Sequence, residues 1–173
     1  MIPAEARNQI AALLGPRGLL DRPEDLKLYE YDAGVDKAMP DLVAFPRSTE
    51  DVVGIVRIAL DHRVPLVARG AGTGLSGGSI PREGGIVVCF SRMNRILACD
   101  DKRNFALVEP GVSYIDLYRH IQERGLKVWI DPADPGWGSP IGNALDRGGG
   151  YTRAQFRNHF DAHCGMEVVL PNG

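Results

Sequence analysis

The sequence predicts an α+β fold, and three observations carry the prediction. Short apolar strand segments flank helices of 3.6-residue period twice, giving two βαβ-like units. A glycine-rich stretch after the first unit leads from strand to strand, without opening a helix. A second glycine- and proline-rich stretch follows the second unit. A chain of 173 residues fits one domain, or one and part of another. At 44% apolar and 24% charged it has the composition of a globular protein with a real core. A net charge of −2 gives no electrostatic case for nucleic acid or an anionic membrane as partner. The three cysteines, at 89, 99 and 164, are too few and too scattered for a disulfide framework. No apolar run is long enough to span a bilayer, and the N-terminus lacks a charged head followed by an apolar core. The expected location is the cytoplasm.

Residues 4–14 read as a helix with Ile10, Leu13 and Leu14 on one side and Gly15-Pro16 as its stop. Residues 21–41 read as an irregular arm, so 1–41 form an N-terminal helix and arm and 42–173 the domain proper. Residues 42–45 are a strand ended by Pro46. Ser48, three residues before Asp51, caps a helix carrying Val52, Ile55, Val56 and Ala59. Residues 65–68 are the next strand, and 86–90 the strand beyond the glycines. Residues 94–99 and 105–108 flank a hairpin-like turn. Ser113 caps a helix with Ile115, Leu117, Tyr118 and Ile121 near one face and Gly125 as its stop. Residues 126–130 and 165–170 complete the expected strands. Pro171-Asn172-Gly173 reads as a hairpin turn without its return strand, so the domain is expected to be truncated at its C-terminal end.

The first glycine stretch is Arg69-Gly70-Ala71-Gly72-Thr73-Gly74-Leu75-Ser76-Gly77-Gly78-Ser79, with five glycines between 70 and 78. Such a loop cannot pack a core, but it can gather backbone N–H groups around one anion, most often phosphate. Gly72 to Gly77 fits G-x-G-x-x-G, yet no helix follows, which argues against a Rossmann fold. A triphosphate-binding loop would need Gly-Lys-Ser/Thr, which is absent. The bland alternative is a surface loop between strands, uncommon at this length and composition unless functional or disordered. His159, His163 and Cys164 have half-site spacing for a metal on a helix, but no second motif supports them and no metal is expected. His62 and His120 read as surface histidines, and Trp129 and Trp137 as core or packing residues.

Residues 65–78, Pro-Leu-Val-Ala-Arg-Gly-Ala-Gly-Thr-Gly-Leu-Ser-Gly-Gly after a βαβ unit, resemble the flavin-binding half of the vanillyl-alcohol oxidase superfamily. This loop is most similar to its glycolate oxidase and D-lactate dehydrogenase members. Residues 142–152, Gly-Asn-Ala-Leu-Asp-Arg-Gly-Gly-Gly-Tyr-Thr, with His159-Phe160 and Cys164-Gly165-Met166-Glu167-Val168-Val169-Leu170, are similar to vanillyl-alcohol oxidase and 4-cresol dehydrogenase flavoproteins. The resemblance runs from about residue 40 to the end, and residues 153–158 depart from the family's connection.

The resemblance implies the N-terminal portion of a PCMH-type FAD-binding domain, with the cap domain absent. FAD is the implied cofactor. Its pyrophosphate would be held by backbone N–H groups from Gly70, Ala71, Gly72, Thr73, Gly74, Leu75, Ser76 and Gly77, helped by the Thr73 and Ser76 hydroxyls. Arg69 would add charge, although an arginine at a strand end is commonly solvated. Ser139, Gly142 and Asn143 would lie along the ribityl chain and ring. Some relatives carry a flavin-linking histidine near Ala71; this sequence offers no such attachment. The implied reaction oxidises a para-substituted phenol by hydride transfer to flavin N5, leaving a quinone-methide-like product. Asp134 would then stabilise developing positive charge or serve as base for water, with Tyr151 beside the substrate. By composition alone, Asp134 reads as a turn former. The implied partners are a small phenolic substrate and an electron acceptor, oxygen or an electron-transfer protein; a homo-oligomer stays open. A 2-hydroxyacid (glycolate or D-lactate) dehydrogenase is the alternative, and a non-catalytic nucleotide-binding module is the alternative of another class. Residues 1–173 alone are expected to show no turnover.

Overall fold

A computed structural model describes residues 1–131, 136–149 and 158–173. The chain divides into two compact units, Met1–Arg92 with Glu167–Gly173, and Met93–Met166.

The first unit is a four-stranded sheet in the order β1-β2-β4-β3, with β1 Leu19–Leu20, β2 Leu42–Ala44, β3 Leu66–Arg69 and β4 Ile86–Cys89. β4 pairs in parallel with β2 and with β3, while β1 is antiparallel to β2. A parallel strand covered on both faces should be apolar throughout, and every residue of β2 and β4 is buried. Alternation of side chains sorts them into two cores. Leu42, Ala44, Ile86 and Val88 pack with Ile10 and Leu14 of α1 (Ala4–Leu14) and with Ile55 and Ala59 of α3 (Thr49–Asp61). On the other face, Val43, Phe45, Val87 and Cys89 pack with Leu26 of α2 (Pro23–Leu26) and with Tyr29. The arm at 21–41 is therefore less irregular than its composition suggests: α2 and a 3-10 turn at Lys27–Tyr29 cover this second face. α3 starts where expected. Asp51 N–H donates to Ser48 Oγ at 3.3 Å, and Arg47 N–H donates to Asp51 Oδ2 at 2.9 Å.

The second unit pairs β5 (Ile96–Asp100) with β6 (Phe105–Val108) in an antiparallel hairpin. α4 (Tyr114–Glu123) follows, capped by Ser113, whose Oγ accepts from Asp116 N–H at 3.1 Å. Val112, Leu117, Ile121 and Val128 form its core, joined by Ile96, Val108, Leu126 and Ile130. Two expected strands are corrected here. Residues 126–130 and 165–170 carry no ladder among the described residues. Their apolar residues supplied the strand signal, but a strand exists only when a second strand pairs with it. Leu126, Val128 and Ile130 are apolar because they pack on α4 and the hairpin. Trp129 and Trp137, read as core or packing residues, are 53% and 63% exposed, so neither is a core residue. No helix among the described residues is long and apolar enough to cross a membrane.

Candidate functional site

The glycine stretch leaves the carboxyl end of β3, the end of a parallel strand where ligands gather in open α/β sheets. Two glycines in it differ in kind. Gly72 has φ +70°, and a Cβ there would fall 2.3 Å from Arg69 Nη2, so the fold itself demands glycine. Gly74 has no left-handed φ, and a Cβ on it would meet no atom of the described residues within 4 Å. Among the described residues nothing requires glycine at 74.

Arg69 is only 7% exposed, which corrects the solvated reading. Burying a guanidinium is costly unless its N–H groups and charge are matched. Nη1 donates to the Tyr31 carbonyl at 2.8 Å and to Ser79 Oγ at 3.4 Å. The group also lies 5.6 Å from the centre of the Tyr29 ring. Among the described residues no carboxylate lies within ion-pair distance of it. Burial pushes the Tyr29 phenol above its ordinary pKa, with the Cys89 thiol adding to the rise, so the ring stays neutral beside the cation.

A strap from the arm crosses this loop. Tyr31 and Lys37 bridge, Ala33 N–H donates to the Gly74 carbonyl at 3.0 Å, and Arg82 pairs with Asp36 at 2.5 Å. Asp32 is 6% exposed; its Oδ1 accepts from Gly34 N–H at 2.7 Å, while Oδ2 has no hydrogen-bond partner among the described residues. Sequence reading missed Tyr29, Tyr31 and Asp32. Their only signal was an aromatic pair in a polar run, which does not say what it packs on.

In the second unit, α5 (Pro140–Leu145) begins at Ser139, 5% exposed, whose Oγ accepts from Gly142 N–H at 2.9 Å. A Cβ at Gly142 would fall 2.7 Å from that oxygen, so this glycine serves the cap. Asn143 turns its amide to Tyr114 Oη, at 2.9 Å, and to His159 Nδ1. Burial raises the Tyr114 phenol pKa, and the Asn143 hydrogen bond pulls it back. His159 belongs to a 3-10 turn, His159–Ala162, and His163 lies beyond it with Nδ1 against the His159 carbonyl at 3.1 Å. Among the described residues no three His, Cys, Asp or Glu side chains gather as for a metal. Asp134 and Tyr151 lie outside the described residues.

A family model described as an FAD binding domain matches residues 40–173. A glycolate oxidase subunit, GlcD, of Bacillus subtilis is 37% identical over 174 residues, covering 100% of this chain and 37% of that protein. The 4-cresol dehydrogenase [hydroxylating] flavoprotein subunit of Pseudomonas putida is 34% identical over 175 residues, covering 98% of this chain and 33% of that protein. The chain thus spans about a third of the length of these relatives. Among solved structures, p-cresol methylhydroxylase with substrate bound superposes with a TM-score of 0.86 at 31% identity, over 99% of this chain and 35% of that one.

Proposed function

The chain belongs to the FAD-binding-domain family, with FAD as its cofactor, and from that premise we propose that it forms the flavin-binding part of an oxidoreductase acting on a small hydroxylated substrate. The observation that carries the cofactor assignment to particular residues is the pairing of Arg69 with Gly74. Among the described residues, a buried cation with no carboxylate within ion-pair distance lies beside a loop that is open at a glycine they do not require. Both features suit a phosphate group approached by backbone N–H donors. Residues 70–77 are assigned to the pyrophosphate, and Ser139, Gly142 and Asn143 to the ribityl chain and ring. FAD supplies the hydride-accepting chemistry, and the chain supplies binding, orientation and electrostatics. Asp134 is assigned as the carboxylate beside the reacting atoms and Tyr151 as a substrate contact.

For the substrate, the higher identity to the glycolate oxidase subunit favours a 2-hydroxy acid. A para-substituted phenol is the second reading. It is supported by the 142–152 motif and by the likeness to p-cresol methylhydroxylase. Oxygen or an electron-transfer protein would take the electrons onward. Anaerobic mixing of the full-length protein with glycolate or D-lactate, and separately with 4-cresol or vanillyl alcohol, separates the two. The flavin absorbance band bleaches with the true substrate class. Bleaching by phenols alone refutes the 2-hydroxyacid reading. Bound FAD that neither class reduces would point to a non-catalytic nucleotide-binding module.

A further inference from the structure

Within the second unit, four polar side chains from different segments meet away from solvent. Tyr114 comes from the first turn of α4, Asn143 from α5, His159 from the 3-10 turn, and Asp131 from the segment after Ile130. Tyr114 is 5% exposed, and the His159 and Asp131 side chains are 12% and 8% exposed. The Asn143 amide nitrogen donates to Tyr114 Oη and to His159 Nδ1, which also lies 3.4 Å from Tyr114 Oη. His159 Nε2 faces Asp131 Oδ2 at 3.6 Å.

The orientation of the Asn143 amide sets the tautomer of His159. An amide nitrogen only donates, so His159 Nδ1 accepts and the ring proton sits on Nε2, toward the carboxylate. Backbone bonds tie the same parts together. Gly148 N–H donates to the Asn143 carbonyl at 2.9 Å, and His159 N–H donates to the Gly148 carbonyl at 3.0 Å. A Cβ at Gly148 would fall 1.9 Å from Asn143 Oδ1, so the amide is confined on its other side as well. Buried polar groups that share partners in this way favour one arrangement, because removing one member leaves another without its bond.

We propose that His159, oriented by Asp131 and backed by Tyr114, is a positioning residue that locks the Asn143 amide and the 139–148 segment into the arrangement that receives FAD. The inference rests on the assignment of Asn143 to the cofactor. Two readouts in the full-length protein test it.

The first needs no flavin. In flavin-free protein labelled with ¹⁵N-histidine, His159 should show the Nε2–H tautomer; an Nδ1–H tautomer overturns the proposal. The second is a double-mutant cycle on FAD affinity. His159→Phe should weaken FAD binding about tenfold to a hundredfold, the effect of stranding a buried donor. His159→Gln, which keeps an acceptor in reach, should stay within about threefold of wild type. In an Asn143→Ala background His159→Phe should add nothing further. Equal losses in both backgrounds overturn the positioning role. Asn143→Ala with unchanged FAD affinity also overturns it, by removing the premise. A wild-type protein holding no FAD would do the same, but through failure of the cofactor reading; the flavin content of wild type tells these two apart.

Discussion

Replacing Gly74 with valine separates what the fold needs from what a ligand needs. The backbone at 74 is outside the left-handed region, and a Cβ there meets no atom of the described residues within 4 Å. The Gly74 carbonyl can keep its bond from Ala33 N–H. The stability change in flavin-free protein should therefore stay near that of an ordinary surface substitution, about 0.5 kcal/mol in either direction. The loss falls on the ligand. If the valine blocks one charge-assisted bond from the loop to a phosphate, about 1.5–3 kcal/mol disappears, roughly tenfold to 150-fold in Kd. Gly72→Val is the contrast. It must hold φ near +70°, at a cost of about 1–2 kcal/mol, and must displace the Arg69 guanidinium that lies 2.3 Å from its Cβ. That variant should lose both stability and flavin. The assay pairs FAD titration of the full-length protein with thermal melting of its flavin-free form. A Gly74→Val protein with wild-type FAD affinity refutes the assignment of the loop. So does one that melts as low as Gly72→Val, because the fold would then need glycine at 74 after all.

Glu109 is 7% exposed and accepts from Arg95 N–H at 2.7 Å and from the Arg95 guanidinium at 2.6 and 2.9 Å. The Arg95 hydrogen bonds hold its carboxyl below the usual range. A lowered folded pKa means stability that is present above the unfolded value, about 4.3, and lost as pH falls through the folded one. Glu109→Gln should cost about 1 kcal/mol at neutral pH, at the lower end because Arg95 is largely exposed. It should also flatten the acid limb in denaturant titrations; an unchanged acid limb removes the argument. Asp134→Asn in the full-length protein should slow substrate reduction of the flavin about 10²–10⁴-fold with FAD content unchanged. Unaltered reduction would leave Asp134 a turn residue, and loss of FAD as well would make its role structural.

The elements legible in the sequence were those whose signals are local. α3 and α4 announce themselves by a serine cap and a 3.6-residue apolar period, and each begins at the capped residue. β2 and β4 are apolar throughout because both faces are covered, and that run is visible without knowing the neighbours. The misread strands at 126–130 and 165–170 fail for the converse reason. At 126–130 the apolar residues Leu126, Val128 and Ile130 pack in the core without a ladder partner, and at 165–170 Met166, Val168 and Leu170 are 47%, 59% and 60% exposed, so an apolar run by itself guarantees neither a ladder nor burial. β1 is a two-residue strand and α2 a four-residue helix; both are fixed by packing on β2 and β4 and are too short to leave a period.

Legibility of the site divides along the same line. Glycine density pointed to the 70–78 stretch, but density does not distinguish a glycine the chain must have from one a ligand must have. Geometry does. Gly72 and Gly142 are accounted for by Arg69 and by the Ser139 cap, so each would be glycine in a protein that bound nothing. Gly74 has no such internal cause, and of these three it alone argues outward, toward something that approaches the backbone. The charge beside it could not be read in advance. An arginine ending a strand is ordinary, and only the fold reveals that Tyr29 and the Tyr31 carbonyl come from an arm some 40 residues earlier in the chain to enclose Arg69. The same holds for His159, 16 residues from Asn143 and 45 from Tyr114. Its spacing to His163 and Cys164 suggested a metal, yet the ring is engaged by an amide, a phenol and a carboxylate. Residues that bind through their own backbone leave a compositional trace. Residues that hold others in place are defined by contacts across distant segments, and no local pattern records them.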